Sequence, residues 1–245
     1  MISTLATGIY AGLGAATSAG LAVGTYAYAS LWPGSRIFGT AITAPARPGE
    51  LALTFDDGPN AMWTPQLLDI LARHEVRATF FLLGSRAAAQ PELVRRIATA
   101  GHTIGNHSWS HPNLAYTRTS RVREELKQTS ETLQQIICAP VKFFRPPFGA
   151  RRPVVFRIAR ELGMEPVLWN AMTSDWSEPS AVRIAKELMK KIDGLERRGR
   201  AASIVLHDGG HLDAAANREP SITAAGLLLE RYAKSHRFVT LDAWC

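Results

Sequence analysis

The sequence predicts an α/β fold of parallel strands and crossover helices, arranged as a barrel. From residue 50 onward, seven short apolar or β-branched runs alternate with six amphipathic helical stretches. That alternation calls for parallel strands joined by right-handed crossovers. Chemically capable residues also recur just past strands: Asp56 and Asp57, His107, Arg145, Asp175, His207 and Asp208. In parallel α/β folds the C-terminal strand ends are where active sites are built. An open doubly wound sheet and a closed barrel both fit the count, and a barrel is favoured because one funnel then gathers residues from many strands.

The elements follow in order. Leu51–Phe55 is a short apolar strand. Thr64 and Pro65 open a helix, Thr64 as N-cap and Pro65 at the first helical position. Val76–Leu83 reads as a buried strand, rich in β-branched and aromatic residues. Pro91–Ala100 is a helix stopped by Gly101, and His102–Asn106 is a strand. Ser120 caps a long helix on which Val122, Leu126, Thr129, Leu133, Ile136 and Ile137 recur at helical spacing. Val141–Arg145 is a strand, Pro153–Leu162 a helix ended by Gly163, and Glu165–Asn170 a strand. Ala181–Leu195 is a helix, Ser203–Leu206 a strand, Ser221–Ala233 a helix and Phe238–Leu241 the last strand.

A chain of 245 residues, 46% hydrophobic and 20% charged, can bury one sizeable core without long disorder. Its formal charge of +7 favours anionic partners. Nucleic acid is not expected, since there is no basic helix, RNP-type strand or Cys/His finger. Arg197-Arg198-Gly199-Arg200 reads as a solvated turn. Cys138 and Cys245 are too few for a disulfide framework and match no zinc spacing; a bond between them is left open. The first 35 residues carry no charged side chain, and residues 9–31 are long enough to cross a bilayer, which takes about 20 residues. Ala27-Tyr28-Ala29 resembles a signal cleavage site, although no Lys or Arg precedes the apolar stretch. Residues 1–35 are expected to be a membrane anchor or signal segment and 36–245 the folded domain, placed in the cell envelope or secreted. A helix buried in the domain is the alternative for the first segment.

Thr54–Asn60 contains a strong turn sequence in which two adjacent carboxylates point differently, so one can bind a metal while the other acts as a base. In His107-Ser108-Trp109-Ser110-His111, i and i+4 side chains on a turn of helix would bring both imidazoles to one ion. With Asp57 they make a two-His, one-carboxylate set that leaves coordination positions open, as catalysis requires. Arg145, at the head of Arg145–Gly149, offers a permanent charge on a proline-stiffened loop, either for chemistry or as a brace. Trp63, Trp109, Tyr116, Phe148 and Trp176 fall in the same strand-end loops, where aromatic faces suit sugar rings.

On these residues the chain resembles the polysaccharide deacetylase family, carbohydrate esterase family four, over roughly residues 50–243. Thr54–Gly58, His107–His111, Arg145–Gly149, Asp175-Trp176 and Leu206–Gly209 match that family's motifs in order. The resemblance implies a distorted (β/α)7-type barrel. It also implies metal-dependent removal of acetyl groups from N-acetylated sugars of peptidoglycan or chitin-like chains. It makes Asp57, His107 and His111 the metal ligands, with zinc expected and cobalt or manganese as alternatives. Asp56 becomes the general base, held by Arg145, and His207 the general acid, tuned by Asp175. The loop at Phe148 would help position the oxyanion, and Trp176 and Leu206 would line the acetyl pocket. One departure stands out: the family often has an acid three residues before the Asp-Trp pair, where this chain has Met172. Rival readings are an O-acetyl xylan esterase or other amide deacylase on the same scaffold, and an inactive carbohydrate-binding relative. A mere binder has no need of both Asp56 and His207.

Overall fold

The computed structural model of the protein describes residues 21–245. Its strands are β1 (Glu50–Gly58), β2 (Thr79–Leu82), β3 (Thr103–Asn106), β4 (Phe143–Phe144), β5 (Glu165–Pro166), β6 (Ala171–Met172), β7 (Ala202–His207) and β8 (Arg237–Phe238). The helices are α1 (21–31), α2 (Trp63–Arg73), α3 (Gly84–Ala89), α4 (Pro91–Thr99), α5 (Thr119–Ile137), α6 (Pro153–Glu161), α7 (Ala181–Glu196) and α8 (Glu219–Tyr232). All pairings are parallel, in the order β5-β4-β3-β2-β1-β7-β6, with β8 added to the start of β1. The seven strands curl into a half-barrel surrounded by helices, which is the expected architecture.

β1 pairs with β2, β7 and β8 and is buried at every position, so it reads as a near-continuous apolar run rather than alternating with solvent-facing residues. Period-two alternation still divides its two faces. Leu51, Leu53 and Phe55 join the main core between sheet and helices, with Phe80 and Leu82 of β2 and Ile204 and Leu206 of β7. Ala52 points the other way, into a small cluster inside the barrel with Phe81, Phe143, Val167, Val239 and Leu241. Continuing that inner row past Ala52 leads to Thr54 and then Asp56.

Three local expectations are corrected. The strand expected at Glu165–Asn170 is cut short to β5, and β6 follows it separately; the two are the opposite edges of the sheet. Between them Val167 bridges Ile42, the N–H of Leu168 donates to the Ile42 carbonyl (3.1 Å), and Asn170 crosses to Ser203 of β7. An outside segment thus stands in where the barrel does not close. Thr64 does not cap α2: the Asn60 side chain accepts from the N–H groups of Met62 (2.9 Å) and Trp63 (3.1 Å). The Thr64 hydroxyl is engaged instead with the N–H of Asn60 and the carboxylate of Asp208. Nor does Ser120 cap α5, which begins at Thr119 without a side-chain cap.

Most of residues 9–31 lies outside the described residues; among those described, no helix is long and apolar enough to cross a membrane. Residues 30–35 are tied to the domain. The fully buried Arg151 donates to the carbonyls of Ser30, Trp32 and Ser35. Cys138 and Cys245 are free, exposed thiols.

Candidate active site

The site is assembled at the C-terminal ends of β1, β3, β4 and β7. Against β2, Asp56 pairs with Phe81 and Gly58 with Leu82, so Asp57 is the extra residue of a bulge, at φ 69°. The bulge re-aims Asp57 relative to Asp56, as such features do. Across the other edge, the register sets Asp56 opposite His207. Gly209 follows closely: a Cβ there would lie 2.0 Å from the Asp57 carbonyl oxygen, so backbone meets backbone and only glycine fits.

His107 Nδ1 lies 2.8 Å from the carbonyl of Arg145 and donates to it, which leaves Nε2 as a bare acceptor. Nε2 of His107 and of His111 lie 3.5 and 3.2 Å from Asp57 Oδ1, a buried oxygen with no hydrogen-bond partner. The ligand atoms of the three residues lie within 4.8 Å of one another. Burial and the neighbouring imidazole of His107 push His111 down to about 3, so it is neutral and keeps a lone pair. Burial by itself would raise Asp57, but the imidazoles of His107 and His211 and the charge on His207 hold it well below the usual carboxylate range. A buried, orphaned carboxylate oxygen between two imidazole nitrogens fits a divalent cation.

The turn of helix expected at 107–111 is absent. These residues form a loop, with Ser108 and His111 at positive φ (69° and 60°). A side chain from α5 shapes it. The fully buried carboxylate of Glu125 accepts from the N–H groups of Trp109 (2.7 Å) and Ser110 (2.8 Å) and from the Ser110 hydroxyl (2.6 Å). Asn106 Oδ1 accepts from Ser108 N–H and Ser108 Oγ from His111 N–H.

On the facing side, Arg145 is fully buried, its guanidinium 4.1 Å over the Phe81 ring. Its Nη1 donates to Thr54 Oγ1 and Asp56 Oδ1, both at 2.7 Å. Asp175 grips His207 twice, at the backbone N–H (2.8 Å) and at Nδ1 (2.9 Å), and is itself held by the Ser221 hydroxyl (2.7 Å). Burial would discharge His207, but Asp175 and, more weakly, Asp57 and Asp56 outweigh it and lift the ring to about 9.

A buried carboxylate and two imidazoles thus face an Arg-held aspartate and an Asp-held imidazolium. Residues 43–167 match the family described as polysaccharide deacetylase. The chain belongs to that family. It is 37% identical over 207 residues to a peptidoglycan-N-acetylglucosamine deacetylase of Bacillus cereus, covering 83% of this chain and 70% of the relative. A chitooligosaccharide deacetylase of a Bradyrhizobium species is 36% identical over 158 residues, 64% of this chain and 69% of that one. Among solved structures, the Bc1960 peptidoglycan N-acetylglucosamine deacetylase superposes with a TM-score of 0.72 at 37% identity, covering 82% of this chain and 90% of that one. Like its relatives, this family member is a hydrolase.

One cleft of about 470 Å³ gathers Asp56, Asp57, His107, His111 and His207 with Phe148 and Trp176, while Arg145 and Asp175 sit just beneath as their supports. Phe148, at φ 58°, sets its ring edge-on to His111, with centroids 4.5 Å apart. Trp176 stands edge-on to His207 at 5.4 Å. Leu206 is not brought to the cleft: alternation along β7 turns it into the outer core, and Val205 lines the cleft instead. Trp63, Trp109 and Tyr116 do not line it either. Met172 does, as an apolar wall.

Two residues escape the sequence reading. Glu125 carried a signal, a charge on the buried face of α5 between Val122 and Thr129. His211 stacks on His111, with centroids 4.1 Å apart, and its Nδ1 is 3.5 Å from Asp57 Oδ2. Nothing in its local sequence separates it from a loop histidine.

Proposed function

We propose that this hydrolase is a metal-dependent N-deacetylase of acetylated amino-sugar chains, peptidoglycan or chitin-like, acting in the cell envelope. The observation that carries this reading is the joint placement, in one cleft, of the Asp57–His107–His111 triad, the Arg145-held Asp56 and the Asp175-held His207. The names of the relatives support the substrate class, and the uncharged first 35 residues support the envelope.

A divalent cation held by Asp57, His107 and His111, zinc by ligand preference with cobalt or manganese as alternatives, would polarise the acetamide carbonyl and acidify the adjacent water. Arg145 occupies Oδ1 of Asp56, which leaves Oδ2 to take the proton of the attacking water. Asp175 occupies Nδ1 of His207 and keeps the ring charged at neutral pH, so Nε2 has a proton to give the departing nitrogen. An amide needs both services, because its carbonyl is a weak electrophile and its amine a poor leaving group. The apolar faces of Phe148, Trp176 and Val205 shape a pocket for the acetyl methyl.

The test is acetate release by the full-length chain from N-acetylchitooligosaccharides, peptidoglycan and acetylated xylan, before and after chelation and zinc repletion. Release from the amino sugars that vanishes with chelator and returns with zinc is the expected result. Release from acetylated xylan alone would replace the amide reading with an ester one, and none from any substrate would overturn both.

A further inference from the structure

A second cleft, of about 630 Å³, opens beside the catalytic one. Phe148, Trp169 and Met172 line both, so the two concavities share a wall. Their charges differ in kind. The catalytic cleft is lined by both signs, Asp56, Asp57 and Asp213 together with His207 and Arg218; the second is lined by Arg36, Lys191, Arg198 and Arg200 and by no carboxylate. Two of these cations come from the Arg197–Arg200 turn after α7, which reads in sequence as merely solvated.

The fold makes little use of these charges. Among the described residues, the side chains of Arg36, Lys191 and Arg198 take part in no ion pair and no hydrogen bond to a protein acceptor, and only Arg200 is engaged, donating to the Ala44 carbonyl. Four like charges around one concavity repel one another, and low-dielectric walls focus their field outward into it. Trp32, 60% exposed, adds a flat apolar face at the same cleft. Sugar rings stack on such faces. The shared wall, Phe148, Trp169 and Met172, is apolar, so it sets no negative charge between the two clefts.

We propose that the second cleft binds an anionic group, carboxylate or phosphate, carried by the same sugar chain whose acetamide lies in the catalytic cleft. The enzyme is then selective for acidic glycans over neutral ones. This rests on the deacetylase reading and adds a specificity to it.

The experiment compares kcat/KM for acetate release by the full-length chain on matched substrates. One pair is peptide-free peptidoglycan strands with free lactyl carboxylates and the same strands after carboxyl methylation. The other is N-acetylchitotetraose with and without a terminal phosphate. The charged member of at least one pair should be preferred about tenfold at low salt, with the preference shrinking as ionic strength rises. The combined variant Arg36→Gln, Lys191→Gln, Arg198→Gln should erase most of that preference, each exposed charge contributing about two- to threefold. Its melting midpoint checks that the fold is intact. The pair that shows the preference identifies carboxylate or phosphate as the group read. Equal kcat/KM within both pairs, or a folded variant that keeps the wild-type preference, would overturn the proposal while leaving deacetylation standing. No acetate from any of the four substrates would overturn the deacetylase reading itself.

Discussion

Two histidines in one cleft are driven in opposite directions: His111 is pushed down to about 3 and His207 up to about 9. His111 is buried and His207 partly so, and burial alone disfavours charge on either ring. The difference lies in what each touches. His207 has a dedicated carboxylate, Asp175, bonded to its Nδ1 and to its own backbone N–H. His111 is surrounded by other imidazoles, stacked on His211 and near His107, and the carboxylate it faces is shared. A ring with a private acid is held charged, whereas a ring among rings stays neutral; in the proposed mechanism the first gives a proton and the second binds the metal. The same residue type thus takes two charge states in one cleft, set by its neighbours rather than by its own identity.

The comparison is tested most severely by removing a ligand. His107→Ala should lose the bound metal and nearly all activity while remaining folded; metal content equal to wild type would break the ligand assignment. Next in size, Asp56→Asn should retain the metal but lose about 10²–10⁴ in rate, a typical general-base contribution. Full activity in that variant would remove Asp56 from the mechanism. Asp175→Asn sharpens the acid side. Activity that needs a protonated His207 persists up to about pH 9 and falls above it. Without Asp175 burial prevails, so the alkaline limb of the pH–kcat profile should move toward the ordinary histidine range; an unmoved limb would show that another group sets it.

Smaller effects follow on the ligand side and outside the cleft. Glu125→Gln leaves the 107–111 loop short of an acceptor and should cost about 1–3 kcal/mol of stability together with weaker metal retention. Thermal melts and a chelator competition would measure the two. His102 provides a comparison remote from the chemistry. Burial and the charge of Arg77 lower it to about 4, and its Nδ1 accepts the N–H of Ala78 (3.1 Å). The unfolded ring protonates near 6.5 while the native ring resists until about 4, so this residue costs stability as pH falls through that interval. His102→Gln, which does not titrate, should flatten the acid side of the stability curve, at a cost on the order of 1 kcal/mol near neutrality. An unchanged acid slope would show that other groups govern it.

Much of this arrangement was legible from the chain alone. Strand and helix character follows from local apolar period, and Asp56, Asp57, His107, His111, Arg145, Asp175 and His207 announce themselves by standing at or after the ends of strands. Parallel topology then obliges those ends to share one rim. Other features depend on contacts between distant residues. The loop conformation of 107–111 is dictated by Glu125 on α5, and the re-aiming of Asp57 by a bulge against β2. The opposite charge states of His111 and His207 reflect partners far away in sequence. Which of Val205 and Leu206 faces the cleft depends on how β7 registers with β1. The second cleft joins the segment around Arg36 to the turn after α7. Period and motif are properties of neighbouring residues, so a sequence displays them; burial, register and electrostatic environment are sums over groups brought together through space, and only the folded chain decides them.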